Sequence, residues 1–286
     1  MSGTPPPLSI ILPLRPGEAG VEGLLGPIMS QAERSGAEVL IVGETGNLVV
    51  PGARLVPHHD ENIFRLRMIG ILESRGEIVA IGEDHAIPRP DWCEAVVRAH
   101  AERPDVPAIA GCLVNATDRT LAGRGNFAAF AAPFTPPMPT LPGLRPPPIS
   151  TLSIKRAALD GVDRGLGCFE AVLVPKLFDD GQMVADDRII VDHYQDHGAA
   201  WAVANGFHGP RAAYGYLRRD LTWRARLQSA GWSLRHWPAR IFAEARRGTV
   251  GQPHRPAVRR GHLQWPHRGR LKWPHLASVF VLVDVA

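Results

Sequence analysis

Cysteine is scarce in this 286-residue sequence: Cys93, Cys112 and Cys168 are three in number and widely spaced. An odd, scattered set builds neither a disulfide framework nor a structural zinc site, so a reducing, cytosolic compartment is expected. A secretory leader is not expected either. No basic stretch runs into an apolar one at the start, and Pro5, Pro6 and Pro7 would interrupt a signal helix. The last apolar run, residues 277–283, is too short to span a bilayer. The body of the chain also lacks positive charge. Residues 245–286 hold eight Lys or Arg against Asp284 alone, so the overall +4 conceals a net −3 over residues 1–244. That argues against nucleic acid as a partner, because a nucleic-acid-binding body carries its basic stripe on the folded domain.

What is present is an ordinary globular composition, 45% apolar and 21% charged, at a length that buries one large core or two modest ones. Residues 8–13 (LSIILP) and 38–42 (EVLIV) are nearly continuous apolar runs, the pattern of parallel strands buried on both faces. Between them Val21, Leu24, Leu25, Ile28 and Ala32 recur at helical spacing, and Gly36 stops the helix. Residues 53–56 predict a third strand, 61–74 a helix stopped by Gly76, and 77–82 (EIVAIG) a fourth strand. A helix over 91–103 with Asp91 as its cap and a strand over 107–113 follow. The interval 133–148 holds eight prolines and is read as a flap near the site. After it come a new element from Leu152, a helix over 170–177 and a strand over 183–193. This order predicts a doubly wound sheet whose ligands gather at the carboxyl ends of its strands.

Two turns then stand out, Gly43-Glu44-Thr45-Gly46 and Glu83-Asp84-His85, each following a buried strand. Arg67 and Gly70 form an Arg-x-x-Gly helix ahead of the second turn, and Pro88, Pro90, Asp91 and Trp92 follow it. Glu170 lies eleven residues before Gly181, and Val191-Asp192-His193 closes the last strand. Taken together these segments resemble a family 2 glycosyltransferase over residues 8–217. The resemblance implies an α/β chain of the Rossmann-like GT-A fold, a mixed, mostly parallel sheet with helices on both faces. Residues 1–244 would form that domain, and residues 245–286 a basic tail rich in Trp, His and Arg.

The resemblance also implies roles. Glu83-Asp84-His85 takes the place of the family's Asp-x-Asp metal motif, so Glu83 and His85, joined by His193, become the cation ligands. Mixed oxygen and nitrogen donors favour Mn²⁺ over Mg²⁺. Pro13, Arg15, Glu44, Arg67, Asp84 and Arg211 fall where the family meets the nucleotide, Gly43 occupying its usual first acidic position. Glu170 becomes the base, with Phe169-Glu170 in place of a Glu-Asp pair. The reaction implied is an inverting transfer of a hexose from a UDP- or GDP-sugar to a saccharide or lipid-linked acceptor. A single displacement needs one carboxylate to take the hydroxyl proton, in contrast with the two-carboxylate covalent route.

Plainer readings stand beside these. Glu83-Asp84-His85 is also what a polar turn after a strand looks like, and Glu170 is a charge that any helix start favours. Arg67 would then pair with a surface acid, while His58 and His59 have no evident partner. Asp179-Asp180 and Asp186-Asp187 imitate a metal motif but are expected to face solvent. Two other functions remain open: a binding module that kept the fold and lost catalysis, and a nucleotidyltransferase on the same sheet. The second lacks its glycine-rich, lysine-bearing loop, since Leu14-Arg15-Pro16-Gly17 stands there. In the tail, Trp265-Pro266-His267 and Trp273-Pro274-His275 among arginines suit contact with an anionic membrane surface at the inner face, or a solvated arm.

Overall fold

Leu8–Leu14 (β1) has all seven residues buried, and it pairs in parallel with Glu38–Gly43 (β2) on one side and Ile78–Ile81 (β4) on the other. This is why LSIILP carries no polar alternation: helices cover both faces of the strand. The computed structural model describes residues 4–15, 22–60, 62–116, 121–141, 146–160, 162, 169–194 and 222–223. Ala53–Pro57 (β3), Ala86–Pro88 (β5), Ala108–Asn115 (β6), Leu152–Lys155 (β7) and Met183–His193 (β8) complete one sheet of order β3-β2-β1-β4-β7-β6-β8-β5. β7 runs antiparallel to β4 and β6, and β5 antiparallel to β8, so β1 to β4, β6 and β8 all point one way. The sheet is therefore mixed and mostly parallel, as expected.

The helices are Glu22–Ser35 (α1), Ile63–Glu73 (α2), Trp92–Glu102 (α3), Leu121–Ala131 (α4), Arg156–Leu159 (α5) and Glu170–Asp179 (α6). They divide between two cores. Leu8, Ile10 and Leu12 of β1 face α1, α3 and α4 through Leu24, Ile28, Val96 and Phe127. Ile11 faces the opposite layer, where Leu66 and Ile71 of α2, Leu159 of α5 and Leu173 of α6 pack. Each Leu or Ile buried in this way contributes roughly 1.5–3 kcal/mol before chain entropy is counted. Among the described residues no helix is long and apolar enough to cross a membrane.

Two close approaches set the site. Asn62 caps α2 by accepting from the Phe64 amide at 3.0 Å, which starts the helix at Ile63, two residues after the expected boundary at 61. Gly70 then lies so near β1 that a Cβ there would sit 2.3 Å from Ile11 Cγ2. The glycine lets α2 rest directly on the sheet, and Arg67, three residues earlier on the same helix face, comes with it.

Several expectations need correction. Asp91 sits at the start of α3 but makes no side-chain capping bond. In the described part of the proline-rich interval, Phe134 and Met138 are buried in the second core, and Pro147 and Pro148 are buried as well. Asp186 does not face solvent. It is 4% exposed, held by Arg103 Nη1 at 3.0 Å and Arg188 Nε at 2.9 Å, and although burial, the largest influence, pushes its pKa up, these partners bring it down to about 2. Neither α4 nor β5 was expected. β5 is three residues long and contains a proline, too little for any periodic signal.

Candidate active site

β4 ends at Ile81, and the chain turns through Gly82, Glu83, Asp84 and His85 into β5, with an isolated bridge between Glu83 and Ala86 holding the turn closed. β5 lies antiparallel to the end of β8 in the register Ala86 to His193. That pairing sets His85 beside His193, and the Tyr194 amide donates to the His85 carbonyl at 2.8 Å. The two imidazoles meet edge to face with centroids 4.6 Å apart. Glu83 Oε2 lies 3.6 Å from His85 Nε2 and 3.8 Å from His193 Nε2, and one ligand atom from each of the three residues falls within 4.8 Å of the others.

The other oxygen of Glu83 faces Arg67. Nη2 of Arg67 donates to Glu83 Oε1 at 2.8 Å, and Nη1 donates to Glu170 Oε1 at 2.6 Å. The three side chains are only 9%, 15% and 11% exposed, so this is a nearly dry ion triad and not the surface pair that the plainer reading allowed. Phe64 lies beneath the guanidinium at 5.8 Å. Glu170 opens α6, where the helix dipole favours its charge, and its neighbour Phe169 is 1% exposed in the second core. Phe169 is thus spent on packing, which leaves a single carboxylate at the helix start.

Burial is the largest influence on Glu83 and by itself would raise its pKa. The bond from His193 and the charges of Arg67, His85 and His193 outweigh it, so the carboxyl is held well below its ordinary range. His193 is pushed down, first by burial and then by the charge of His85, against the pull of Glu83, which favours the neutral ligand form. His85 goes the other way. Burial would lower it, but its Nδ1 donates to Asp84 Oδ1 at 2.6 Å, and that bond with the charge of Glu83 raises it. Asp84 is itself lowered despite burial, by the His85 bond and, among other charges, by Arg15.

The donor set fits a divalent cation. One carboxylate oxygen and two imidazole nitrogens converge, and the 3.6 and 3.8 Å separations exceed by little the roughly 3 Å between neighbouring donors expected at bonds of about 2.1 Å. The Asp84 bond fixes His85 Nδ1 as the donor and turns Nε2 toward Glu83, the carboxylate–histidine arrangement found behind metal ligands. His193 is fully buried, held by strand register rather than by a loop.

The expected nucleotide residues take varied places. Pro13 is buried within β1 and exposes no side chain. Arg15 follows β1 and is exposed. Glu44, at the end of β2, is also exposed and accepts from His59 Nδ1 at 2.9 Å, while His58 lies 3.9 Å from Asp60. Arg67 and Asp84 are engaged as described, on Glu83 with Glu170 and on His85. Arg211 and the whole basic tail lie outside the described residues. Gly43 has φ +130, and a Cβ there would sit 2.0 Å from the Leu14 carbonyl oxygen, so no acid fits at that position. Phe127, whose ring lies 6.1 Å from that of His193, was not foreseen, because α4 left no usable pattern in the sequence.

No protein-family model and no curated protein matches the chain. Solved structures similar to it include residues 1–349 of S. aureus TarS, at 12% identity and a TM-score of 0.48 over 74% of this chain and 73% of that one. The same fragment in complex with UDP-GlcNAc matches at 12% identity and 0.49 over 82% and 72%. A mycobacterial protein matches at 17% identity and 0.46 over 69% and 70%. Each is a distant likeness.

All the side chains that converge here stand at the carboxyl ends of β4 and β8 or on helices packed against the sheet, the edge where open α/β sheets bind ligands. Chemically the arrangement offers a candidate cation site, a second carboxylate, and one guanidinium joining the two.

Proposed function

We propose that this chain is a metal-assisted, inverting glycosyltransferase that moves a hexose from a UDP- or GDP-sugar to a hydroxyl of a saccharide or lipid-linked acceptor. The observation that carries the reading is the joining of Glu83, with its two histidine neighbours, to Glu170 through Arg67. Glu83, His85 and His193 would hold the cation, Mn²⁺ in preference to Mg²⁺ given two nitrogen donors. A cation bound there supplies positive charge against the leaving diphosphate.

Glu170 takes the proton from the acceptor hydroxyl as the hydroxyl oxygen attacks the anomeric carbon. General-base help of this kind is worth roughly 10² to 10⁴ in rate. Among the described residues Glu170 is the carboxylate that opens α6, with Phe169 turned into the core, and its use as base in a single displacement would invert the anomeric centre. Exposed Glu44 and Arg15 would meet the nucleoside and its phosphates. Arg211 contributes a second cation for the diphosphate, and the 245–286 tail a contact for an anionic surface.

Incubation of the full chain with radiolabelled nucleotide sugars and Mn²⁺ tests the proposal. Release of nucleoside diphosphate with transfer of label to a saccharide or lipid acceptor is expected. Absence of both turnover and binding with every donor would defeat it.

A further inference from the structure

We infer that Arg67 is a positioning residue that couples the cation site to the base, and not a ligand of the nucleotide; the inference rests on the reading above and deepens it. Two ionised carboxylates in nearly dry surroundings repel each other and are costly to strip of water unless a counter-charge lies between them. Arg67 is that charge. Its two terminal nitrogens go to different acids, Nη2 to Glu83 and Nη1 to Glu170. The planar fork presents one terminal nitrogen to each acid, and a lysine ammonium, a single nitrogen on a shorter reach, is expected to hold one.

The division of Glu83 oxygens gives the coupling its direction. Oε1 accepts from Arg67, while Oε2 is the oxygen that faces His85 and His193. Arg67 therefore turns Oε2 toward the imidazoles and at the same time sets Glu170 at a fixed reach from them. The guanidinium has little freedom to leave. Its helix is pressed onto β1 at Gly70, and Phe64 closes its underside. The same positive charge opposes an arriving cation, because it lies beside the carboxylate that would bind that cation. Orientation and repulsion thus act oppositely on metal affinity. Between unit charges a few ångströms apart in a partly dry site, the Coulomb effect is the larger.

The test combines a Mn²⁺ titration by calorimetry and manganese electron paramagnetic resonance, without donor, with steady-state kinetics. Arg67→Met is expected to bind Mn²⁺ about tenfold more tightly than the parent chain, and to lose about a hundredfold or more in kcat while KM for the donor stays within about threefold. Arg67→Lys restores the charge and so returns Mn²⁺ affinity to the parent level, yet it fails to restore kcat because it holds one acid. Glu170→Gln, which touches no cation ligand, weakens Mn²⁺ binding severalfold through the shared guanidinium. This variant decides the matter if Arg67→Met does not fold.

Unchanged or weaker Mn²⁺ binding in Arg67→Met overturns the inference. So does a loss of UDP affinity that exceeds the loss of kcat, which would make Arg67 a nucleotide ligand after all. If the parent chain shows no turnover with any donor, the functional reading fails, and the metal titrations still decide whether Arg67 couples Glu83 to Glu170.

Discussion

The rings of His85 and His193 meet edge to face at 4.6 Å with their planes at 84°, although the two residues are far apart in the sequence. Their meeting is a consequence of strand register: β5 lies antiparallel on β8 with Ala86 opposite His193, so the residue before Ala86 falls beside the residue that ends β8. Glu83 reaches both from the same tight turn. A three-residue strand thus converts a polar turn into a convergent donor set.

Asp84 tests the cation site without touching a ligand atom directly. It accepts the His85 Nδ1 proton and so keeps Nε2 aimed at Glu83. Asp84→Asn is expected to weaken Mn²⁺ binding by about 10- to 100-fold, the usual cost of losing such an outer partner. Calorimetric titration measures it, and unaltered affinity would remove His85 from the ligand set.

Glu170→Gln keeps the shape of the helix start and removes the proton acceptor. At saturating Mn²⁺, turnover is expected to fall by roughly 10² to 10⁴ with donor binding little changed. Single-turnover kinetics beside UDP binding separate the two quantities. A variant that retains parental kcat would assign the base elsewhere.

Gly43 is placed where neither an acid nor an alanine fits, with φ +130 and the Leu14 carbonyl in the way of a Cβ. Gly43→Ala is expected to cost at least about 2 kcal/mol of stability, as strained backbone positions do. Gly43→Asp, which would restore an acidic pair with Glu44, is expected to be worse and to bring no gain in nucleotide binding. Urea denaturation gives the first number, and a loss below experimental error would show that the turn relaxes.

His100 links stability to pH. It is 3% exposed, its Nε2 lies 2.9 Å from Ser153 Oγ, and burial followed by the charge of Lys155 pushes its pKa down to about 4 from an ordinary 6.5. A folded-state value below the unfolded one means that the unfolded chain takes up the proton first. The contribution is therefore whole above pH 6.5 and is lost as pH falls toward 4, up to about 3 kcal/mol. His193, also lowered, adds in the same direction, and His85, raised, opposes it. His100→Gln is expected to flatten the decline in unfolding free energy between pH 6.5 and 4.5. An identical slope in both proteins would place the acid sensitivity in other groups.

Much of the sheet was legible because strands buried on both faces write themselves as unbroken apolar runs. β1, β2 and β4 are read from LSIILP, EVLIV and EIVAIG with ends within a residue or two. Glu83, His85, His193 and Glu170 were legible as candidates because each sits at the end of such an element, where open sheets keep their chemistry. α4, with a single charge among glycines, alanines and phenylalanines, shows no contrast between a wet and a dry face and so escaped notice. Asp186 was misjudged because its neutralising arginines come from α3's end and from its own strand, and nothing local announces their meeting.

By itself, then, the sequence determined the alternation of strands and helices, the two faces of the sheet, and which polar residues stand at strand ends, since all of these follow from the period of hydrophobicity along a short stretch of chain. Only the tertiary structure decided that β5 would lie on β8 and that α2 would press close enough for one guanidinium to bridge Glu83 and Glu170. The physical reason is range. Periodicity is a local property, whereas an ion triad in a dry interior depends on which distant chain ends share a low-dielectric space, and that is settled by packing.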